Sequence, residues 1–307
     1  MNNTSLLKEY VKALVQNINK QSLPKKIDLV FSGGAFNGFF SMGAAMFVLE
    51  LKRQGLIKIG RLSGCSIGSV VALLCLVKDA ADEDIDEWFT DMVTCIRTDH
   101  NLTKYHNIVR DGIMKLLPED DMSLVNGRLF INFYDLKKKR KRVVSKYRNR
   151  DHLIECVLRS GYLPHIIDGN TRYKDRYLDG ITPYIFSASP GVEILFVEIM
   201  TLNKLCHFIP HKTEINPQSR LLIGVADANE FFTLGRSDMC SYVRLWSTSR
   251  IAALYGRDLL YMIIHAIIEL LVGLQEYIPA KVSDSIIYSG IANILKELSC
   301  EAMRRIL

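Results

Sequence analysis

No Cys-x-x-Cys pair and no Gly-Lys-Ser or Gly-Lys-Thr occurs in the 307 residues of this sequence. The second absence excludes a Walker-type phosphate loop. The seven cysteines stand at 65, 75, 95, 156, 206, 240 and 300. Their odd number and apolar settings, as in Leu73-Leu74-Cys75-Leu76, read as reduced thiols of an intracellular, cytoplasmic protein and not as a disulfide framework. There is no internal repeat, no Gly/Ser-rich or Pro-rich linker, and no signal-peptide pattern at the N-terminus. Long apolar runs are also scarce. The strongest, Leu259 to Leu274, is slightly short for a membrane span and carries His265 and Glu269. An ionised carboxylate at mid-bilayer costs on the order of 3 kcal/mol, so a buried or interfacial helix is expected there.

What is present is ordinary globular composition: 49% hydrophobic and 23% charged residues. The net charge of +6 favours contact with an anionic surface. Residues 5 to 18 place Leu7, Tyr10, Val11, Leu14, Val15 and Ile18 at helical spacing, with Lys8, Glu9 and Lys12 between them. This is an amphipathic helix, expected to dock on the protein's own core, with a membrane surface as the alternative. One main domain follows from the lack of linkers. Its parts are the N-terminal helix (1–24), a core (25–200), and a mainly helical, strand-containing C-terminal part (201–307).

Ile27 to Phe31 reads as a short buried strand, broken by Gly33 and Gly34. Gly38 to Gln54 is helical and almost wholly apolar, as expected of a helix buried on most sides. Ile57 to Leu62 reads as a second strand and Ser66 to Val77 as a second buried helix. Two strand–turn–helix units in succession imply an α/β fold with a parallel sheet. Residues 82 to 118 suggest two amphipathic helices. Leu129 to Leu136, Arg142 to Tyr147 and Val192 to Met200 suggest further strands. The basic run Lys137-Lys138-Lys139-Arg140-Lys141-Arg142 is then expected to be a solvated hairpin tip. A nucleic-acid patch is the generic alternative for such a run. Contact with acidic lipid is another, each basic residue adding roughly 1 kcal/mol near an anionic surface.

Gly64-Cys65-Ser66-Ile67-Gly68 fits the pattern G-x-S-x-G. It directly follows a predicted strand and directly opens a predicted helix. A serine on such a turn presents its hydroxyl outward, with the N–H groups and positive dipole of the helix beneath it. Ser32-Gly33-Gly34-Ala35-Phe36-Asn37-Gly38 forms a second strand-to-helix turn, in which consecutive glycines let backbone amides face a bound atom. Both turns are placed at the carboxyl edge of one sheet, where open α/β sheets bind ligands. Cys65 should point into the core and be inert. His207 and His211 are four apart, but Pro210 interrupts any helix between them.

Together the two turns resemble the patatin-like phospholipase family. That family carries a glycine-rich turn, then G-x-S-x-G, then a later Asp-Gly pair. Asp-Gly occurs at 111, 168 and 179. Ser160-Gly161-Tyr162-Leu163-Pro164 followed by Arg176-Tyr177-Leu178-Asp179-Gly180 is similar to the family's approach to its aspartate. Asp168-Gly169-Asn170 reads as a hairpin turn, and Asp111 as a helix cap. The resemblance implies a three-layer α/β/α fold with a mostly parallel central sheet and a helical C-terminal part. It implies a Ser66–Asp179 dyad that needs no metal and no cofactor. Gly33, Gly34, Ala35 and Ile67 would hold the oxyanion, with Gly38, Gly64, Gly68 and Gly180 as motif glycines. The implied substrate is a phospholipid or other acyl lipid, met at an anionic membrane surface, with no nucleic acid expected.

Three residues depart from the family pattern. Ala35 stands where a third glycine is usual, Asn37 where Arg or Lys is usual, and Ile181 where Gly or Ala follows Asp-Gly. Asn37 adds no positive charge, and Ile181 makes a bulkier wall. Two rival readings stay open on the sequence. One is a degenerate lipid-binding or interaction protein. The other is a Ser–His–Asp hydrolase using His207, His211 or His265.

Overall fold

The computed structural model describes residues 3–34, 37–80, 105–117, 121–162, 167, 170–200 and 218–275. Its centre is a sheet of seven strands: β1 (Lys26–Phe31), β2 (Lys58–Gly64), β3 (Leu129–Asp135), β4 (Arg140–Val144), β5 (Tyr177–Leu178), β6 (Glu193–Val197) and β7 (Cys240–Tyr242). The order across it is β4-β3-β2-β1-β6-β7, with the short β5 also pairing β3. The four central strands run parallel, while β4, β5 and β7 pair antiparallel. β1 lies between β2 and β6, and all of it after Lys26 is buried, as an almost wholly apolar central strand requires.

Side chains alternate across the sheet and separate two cores. Leu29, Phe31, Leu62, Leu195 and Val197 join the larger one. It is closed by α1 (Asn3–Gln16), α2 (Gly38–Arg53), α3 (Ile67–Ala80), α4 (Tyr105–Leu116), α5 (Arg150–Ser160) and α6 (Gln218–Leu234). Val30, Ile194 and Phe196 face the other way, against Phe186, Trp246 and Leu254. Leu254 belongs to α7 (Thr248–Gln275). The result is the three-layer α/β arrangement expected from the sequence, parallel at its centre and antiparallel at its edges.

α2 is buried nearly all round. It crosses α6 at two reciprocal glycines. A Cβ at Gly43 would stand 2.1 Å from the Leu221 carbonyl oxygen, and one at Gly224 would stand 2.1 Å from that of Phe40. Only hydrogen fits at either point, so the two backbones touch. α1 docks on this core through Val11 and Val15, with Ile18 just beyond it. Its apolar stripe is therefore largely consumed within the protein, though Leu6 and Tyr10 remain exposed.

Two local expectations are corrected. Asp111 lies in the middle of α4 and does not cap it, because burial of Tyr105 and Val109 carries the helix further toward the N-terminus. The β3–β4 turn is tighter than the basic run suggests. Asp135 accepts the Lys138 amide at 3.2 Å, one 3-10 turn covers Leu136–Lys138, and Lys139 adopts φ 49°. β4 then begins at Arg140, so Lys141 and Arg142 are strand residues and only the start of the run forms the tip. Most of the segment 82–118 before α4, Asp168, Gly169, His207 and His211 lie outside the described residues.

Candidate active site

The parallel register decides where the two glycine turns meet. Phe31 pairs with Gly64, so two residues further along each chain Gly33 comes beside Ser66. A Cβ at Gly33 would stand 3.1 Å from that of Ser66. The glycines of G-x-S-x-G have an equally direct cause. A Cβ at Gly64 would meet the Gly68 carbonyl oxygen at 2.1 Å, and one at Gly68 would meet the Phe31 and Ser32 carbonyl oxygens at 2.6 Å. Without side chains there, the first turn of α3 sits directly on the ends of β1 and β2.

Ser66 is not the first residue of the helix but the turn before it, with φ 52°. A left-handed conformation costs a non-glycine residue roughly 1–2 kcal/mol and must be held by its surroundings. Its amide donates to both the carbonyl and the hydroxyl oxygen of Ser160, each at 3.0 Å. Its carbonyl accepts the Ser69 amide at 2.9 Å and the Ser69 hydroxyl at 2.7 Å. Ser160 ends α5, and its own hydroxyl donates to the Asn132 carbonyl at 2.7 Å.

Asp179 directly follows β5, which pairs with the carboxyl end of β3 at Tyr134 and Asp135. The neighbouring loop is clamped by Asn132 of β3. Its Nδ2 donates to the carbonyls of Gly180 (3.2 Å) and Thr182 (2.9 Å), and its Oδ1 accepts the Tyr184 amide at 3.1 Å. Gly180 must lack a side chain, since a Cβ would lie 2.3 Å from the Asn132 carbonyl oxygen. Ile181 adopts φ 54°, an outlier for a β-branched residue, and its amide donates to Asp179 Oδ1 at 2.7 Å.

The Asp179 carboxyl is 3% exposed, with the Ser66 hydroxyl near enough to favour its ionised form. Burial pushes its pKa up to about 7, against the lowering effects of the Ile181 amide, the Ser66 hydroxyl, Lys141 and the Gly180 amide. Cys65 points into the core as expected. Burial, with the nearby Asp179 second, raises its thiol well above the ordinary range. The Gly33 amide lowers the thiol pKa slightly, and the Cys65 sulfur lies 3.3 Å from the Ile181 carbonyl oxygen. Gly33 thus sets the close approach to Ser66 and to the Cys65 sulfur. Gly34 abuts Ile199, Gly38 opens α2 and Ile67 opens α3. Ala35 lies outside the described residues.

A cavity of about 260 Å³ adjoins the aspartate, lined by Lys141, Asp179, Ile181, Tyr255, Asp258 and Leu259 among others. Lys141 Nζ donates to Thr182 Oγ1 (2.7 Å), to the Thr182 carbonyl (3.1 Å) and to Asp258 Oδ2 (2.5 Å). Thr182 Oγ1 in turn donates to Asp258 Oδ1 at 2.8 Å. This knot ties β4 and the aspartate loop to α7. Asn37 is buried; its Nδ2 donates to the Ile199 carbonyl at 3.3 Å, and its Oδ1 accepts from Arg220 Nη1 at 2.9 Å. His265 Nε2 lies 3.2 Å from the Thr171 carbonyl oxygen. Among the described residues no cluster of three or more His, Cys, Asp or Glu side chains is arranged to hold a metal ion.

Sequence reasoning gave no site role to Asn132, Arg220 or Asp258, placed Ser160 only within the segment leading to Asp179, and read Lys141 as part of a solvated tip. Lys141 left a signal. Alternation along a strand turns one residue of the basic run inward.

A hydroxyl on a strained turn, at the N-terminus of a buried helix and beside a carboxylate that titrates near neutrality, is suited to nucleophilic attack on a carbonyl. The frame is an open α/β sheet with a serine turn and an aspartate turn at one edge. The chain belongs to the patatin-like phospholipase family, whose sequence model matches residues 29–183. Among curated relatives, the 1-acylglycerol-3-phosphate O-acyltransferase Pnpla3 of Mus musculus is 24% identical over 164 residues, 51% of this chain and 39% of that protein. Patatin-like phospholipase domain-containing protein 4 of Homo sapiens is 25% identical over 145 residues, 46% of this chain and 57% of that protein. The omega-hydroxyceramide transacylase of Homo sapiens is 26% identical over 167 residues, 51% of this chain and 31% of that protein. The chain thus matches between about a third and somewhat over half of these relatives' lengths.

Proposed function

We propose that the protein is a lipid acyl hydrolase that cleaves fatty-acyl esters of phospholipids or related glycerolipids through a Ser66–Asp179 dyad. The nearness of the Ser66 hydroxyl, on its strained turn, to a buried carboxyl with pKa near 7 carries this reading. Ser66 Oγ attacks the ester carbonyl while its proton passes to Asp179. The amides of Gly33, Gly34, Ala35 and Ile67 hold the resulting oxyanion. Collapse breaks the ester C–O bond, and Asp179 returns the proton to the departing alcohol. Water then attacks the acyl-serine, losing its proton to Asp179 and releasing the fatty acid and the free serine. An alcohol in place of that water yields acyl transfer, the chemistry named in two of the relatives. No step calls for a metal.

Peripheral contact with an anionic bilayer belongs to the same reading. Tyr255 and Leu259 of α7 line the cavity yet are 68% and 64% exposed, with Leu260 and Ile263 also in solvent. The Lys141–Asp258 contact brings the exposed basic residues 137–140 to the same side. No helix among the described residues is long and apolar enough to cross a membrane.

The deciding experiment compares turnover of a labelled phospholipid by the wild type and by Ser66→Ala. Release of labelled fatty acid by the wild type alone supports the dyad. Equal rates, or no release while vesicle binding persists in both, would establish the degenerate lipid-binding alternative.

A further inference from the structure

We propose that Arg220, on α6 and outside the family-matched segment, is the positioning cation of the glycine-rich turn, acting through Asn37; this rests on the hydrolase reading above. Residue 37 itself carries no charge here. The guanidinium that bonds its side chain comes from 183 positions further along the chain. Arg220 is 5% exposed, although Leu222 and Ile223 beside it are in solvent. The Gly43–Leu221 and Gly224–Phe40 contacts bring α6 onto α2 backbone to backbone, and this delivers Arg220 to the N-terminus of α2. Its guanidinium carbon lies 5.5 Å from the centre of the Phe40 ring, in the first turn of that helix.

Asn37 is the link between this cation and the turn. Its amide donates to the Gly34 carbonyl at 2.9 Å, its Nδ2 to the Ile199 carbonyl, and its Oδ1 accepts from Arg220. Asparagine at a helix N-cap ordinarily spends its Oδ1 on the helix's own N–H groups. Here Asn37 makes no such bond. The helix N-terminus is left without a side-chain cap, and the guanidinium adds to the positive end of the helix dipole there. That positive potential becomes favourable when negative charge appears on the adjacent turn, as it does when an ester carbonyl becomes an oxyanion. A residue placed only to fasten α6 to α2 would need no charge. An arginine stabilises the charged intermediate more than the neutral ground state.

The test uses the full chain, a soluble p-nitrophenyl ester, and a trifluoromethyl ketone that forms an anionic adduct with a serine. Arg220→Met should lower kcat by about one to two powers of ten, with KM within about twofold, and weaken the ketone by a similar factor. Arg220→Lys should retain most of the rate. Asn37→Arg in the Arg220→Met background should recover about tenfold or more, by returning a cation to the turn itself. Unchanged kcat in folded Arg220→Met overturns the inference. So does a loss that neither Arg220→Lys nor the double variant restores, or one that leaves ketone affinity intact, since each marks a purely structural role. If Arg220→Met does not fold, Arg220→Lys and the double variant decide by the same ketone affinity. Wild type no faster than Ser66→Ala would overturn the hydrolase reading, and this inference with it. Loss confined to the Arg220 variants leaves the hydrolase reading standing.

Discussion

Asp179→Asn should destroy activity and, at alkaline pH, strengthen the fold. The carboxyl titrates near 7 in the folded protein against 3.8 for the free side chain, chiefly because it is buried. A raised carboxyl pKa means that ionisation opposes folding. The stability is whole below about pH 4, declines as pH rises, and has been lost once pH passes the folded value near 7. The gap is about three pH units at about 1.4 kcal/mol each, so the ionised group costs the fold about 4 kcal/mol above pH 7. Asparagine cannot ionise. Its Oδ1 can still accept the Ile181 amide, while its NH2 is poorly matched to the Gly180 amide and the Ser66 hydroxyl, so the net gain at pH 8 should be about 2–3 kcal/mol. Urea denaturation at pH 4, 6 and 8 reads this directly. The wild-type midpoint should fall across the series more steeply than that of Asp179→Asn, and the two should converge at pH 4. In the same buffers, wild-type kcat/KM on a soluble ester should rise about tenfold per unit below pH 7 and level off above it, because only the carboxylate accepts the serine proton. The amide should lower the rate by roughly two to four powers of ten. The reasoning fails if the two proteins keep parallel stability profiles, or if the rate is flat between pH 5 and 8.

Gly64→Ala touches no reacting group, yet its methyl would meet the Gly68 carbonyl oxygen at 2.1 Å. Displacement of the serine turn should abolish labelling by a fluorophosphonate and lower the melting temperature by several degrees, roughly 2–3 kcal/mol for a protein of this size. Full labelling of folded Gly64→Ala would show that the turn tolerates a side chain. EDTA should leave soluble-ester hydrolysis unchanged, and loss restored by one particular metal would replace the dyad mechanism with a metal-assisted one. Converting residues 137–140 to Gln should weaken binding to anionic vesicles by about two to three powers of ten at low salt, at roughly 1 kcal/mol for each charge. Hydrolysis of a short soluble ester should survive this change; a parallel loss on both substrates would mean that the tip supports the hairpin and not the bilayer.

The strand–turn–helix units around Gly33 and Ser66 were legible because their signals are local: apolar runs of strand or helix length, punctuated by glycine. The fold class followed from their succession. The site's supports were not legible, because each joins residues distant in sequence. Ser160 reaches Ser66 across 94 positions and Asn132 reaches Thr182 across 50. Nothing near a serine or an asparagine announces such a partner. The basic run was misjudged for the opposite reason. Composition suggested solvent for all six residues, but strand alternation and the acceptors at Thr182 and Asp258 drew Lys141 inward. Ile181 looked from the sequence like added bulk. Its larger meaning is conformational, a β-branched residue held left-handed where glycine would adopt the angle without strain.

The place of β6 bears on how this protein can be divided. The segment matched by the family model stops at residue 183, whereas β6 begins at Glu193 and pairs with β1 along Ile27 to Phe31. A fragment cut at the limit of the family match would leave the buried central strand β1 with its N–H and C=O groups open along one side. An unprotected edge of that kind recruits other chains, so the shortened protein should aggregate where the full chain stays dispersed. The cut would also remove Asp258 and the outer wall of the cavity. The span that the family model matches is thus smaller than the sheet to which it belongs.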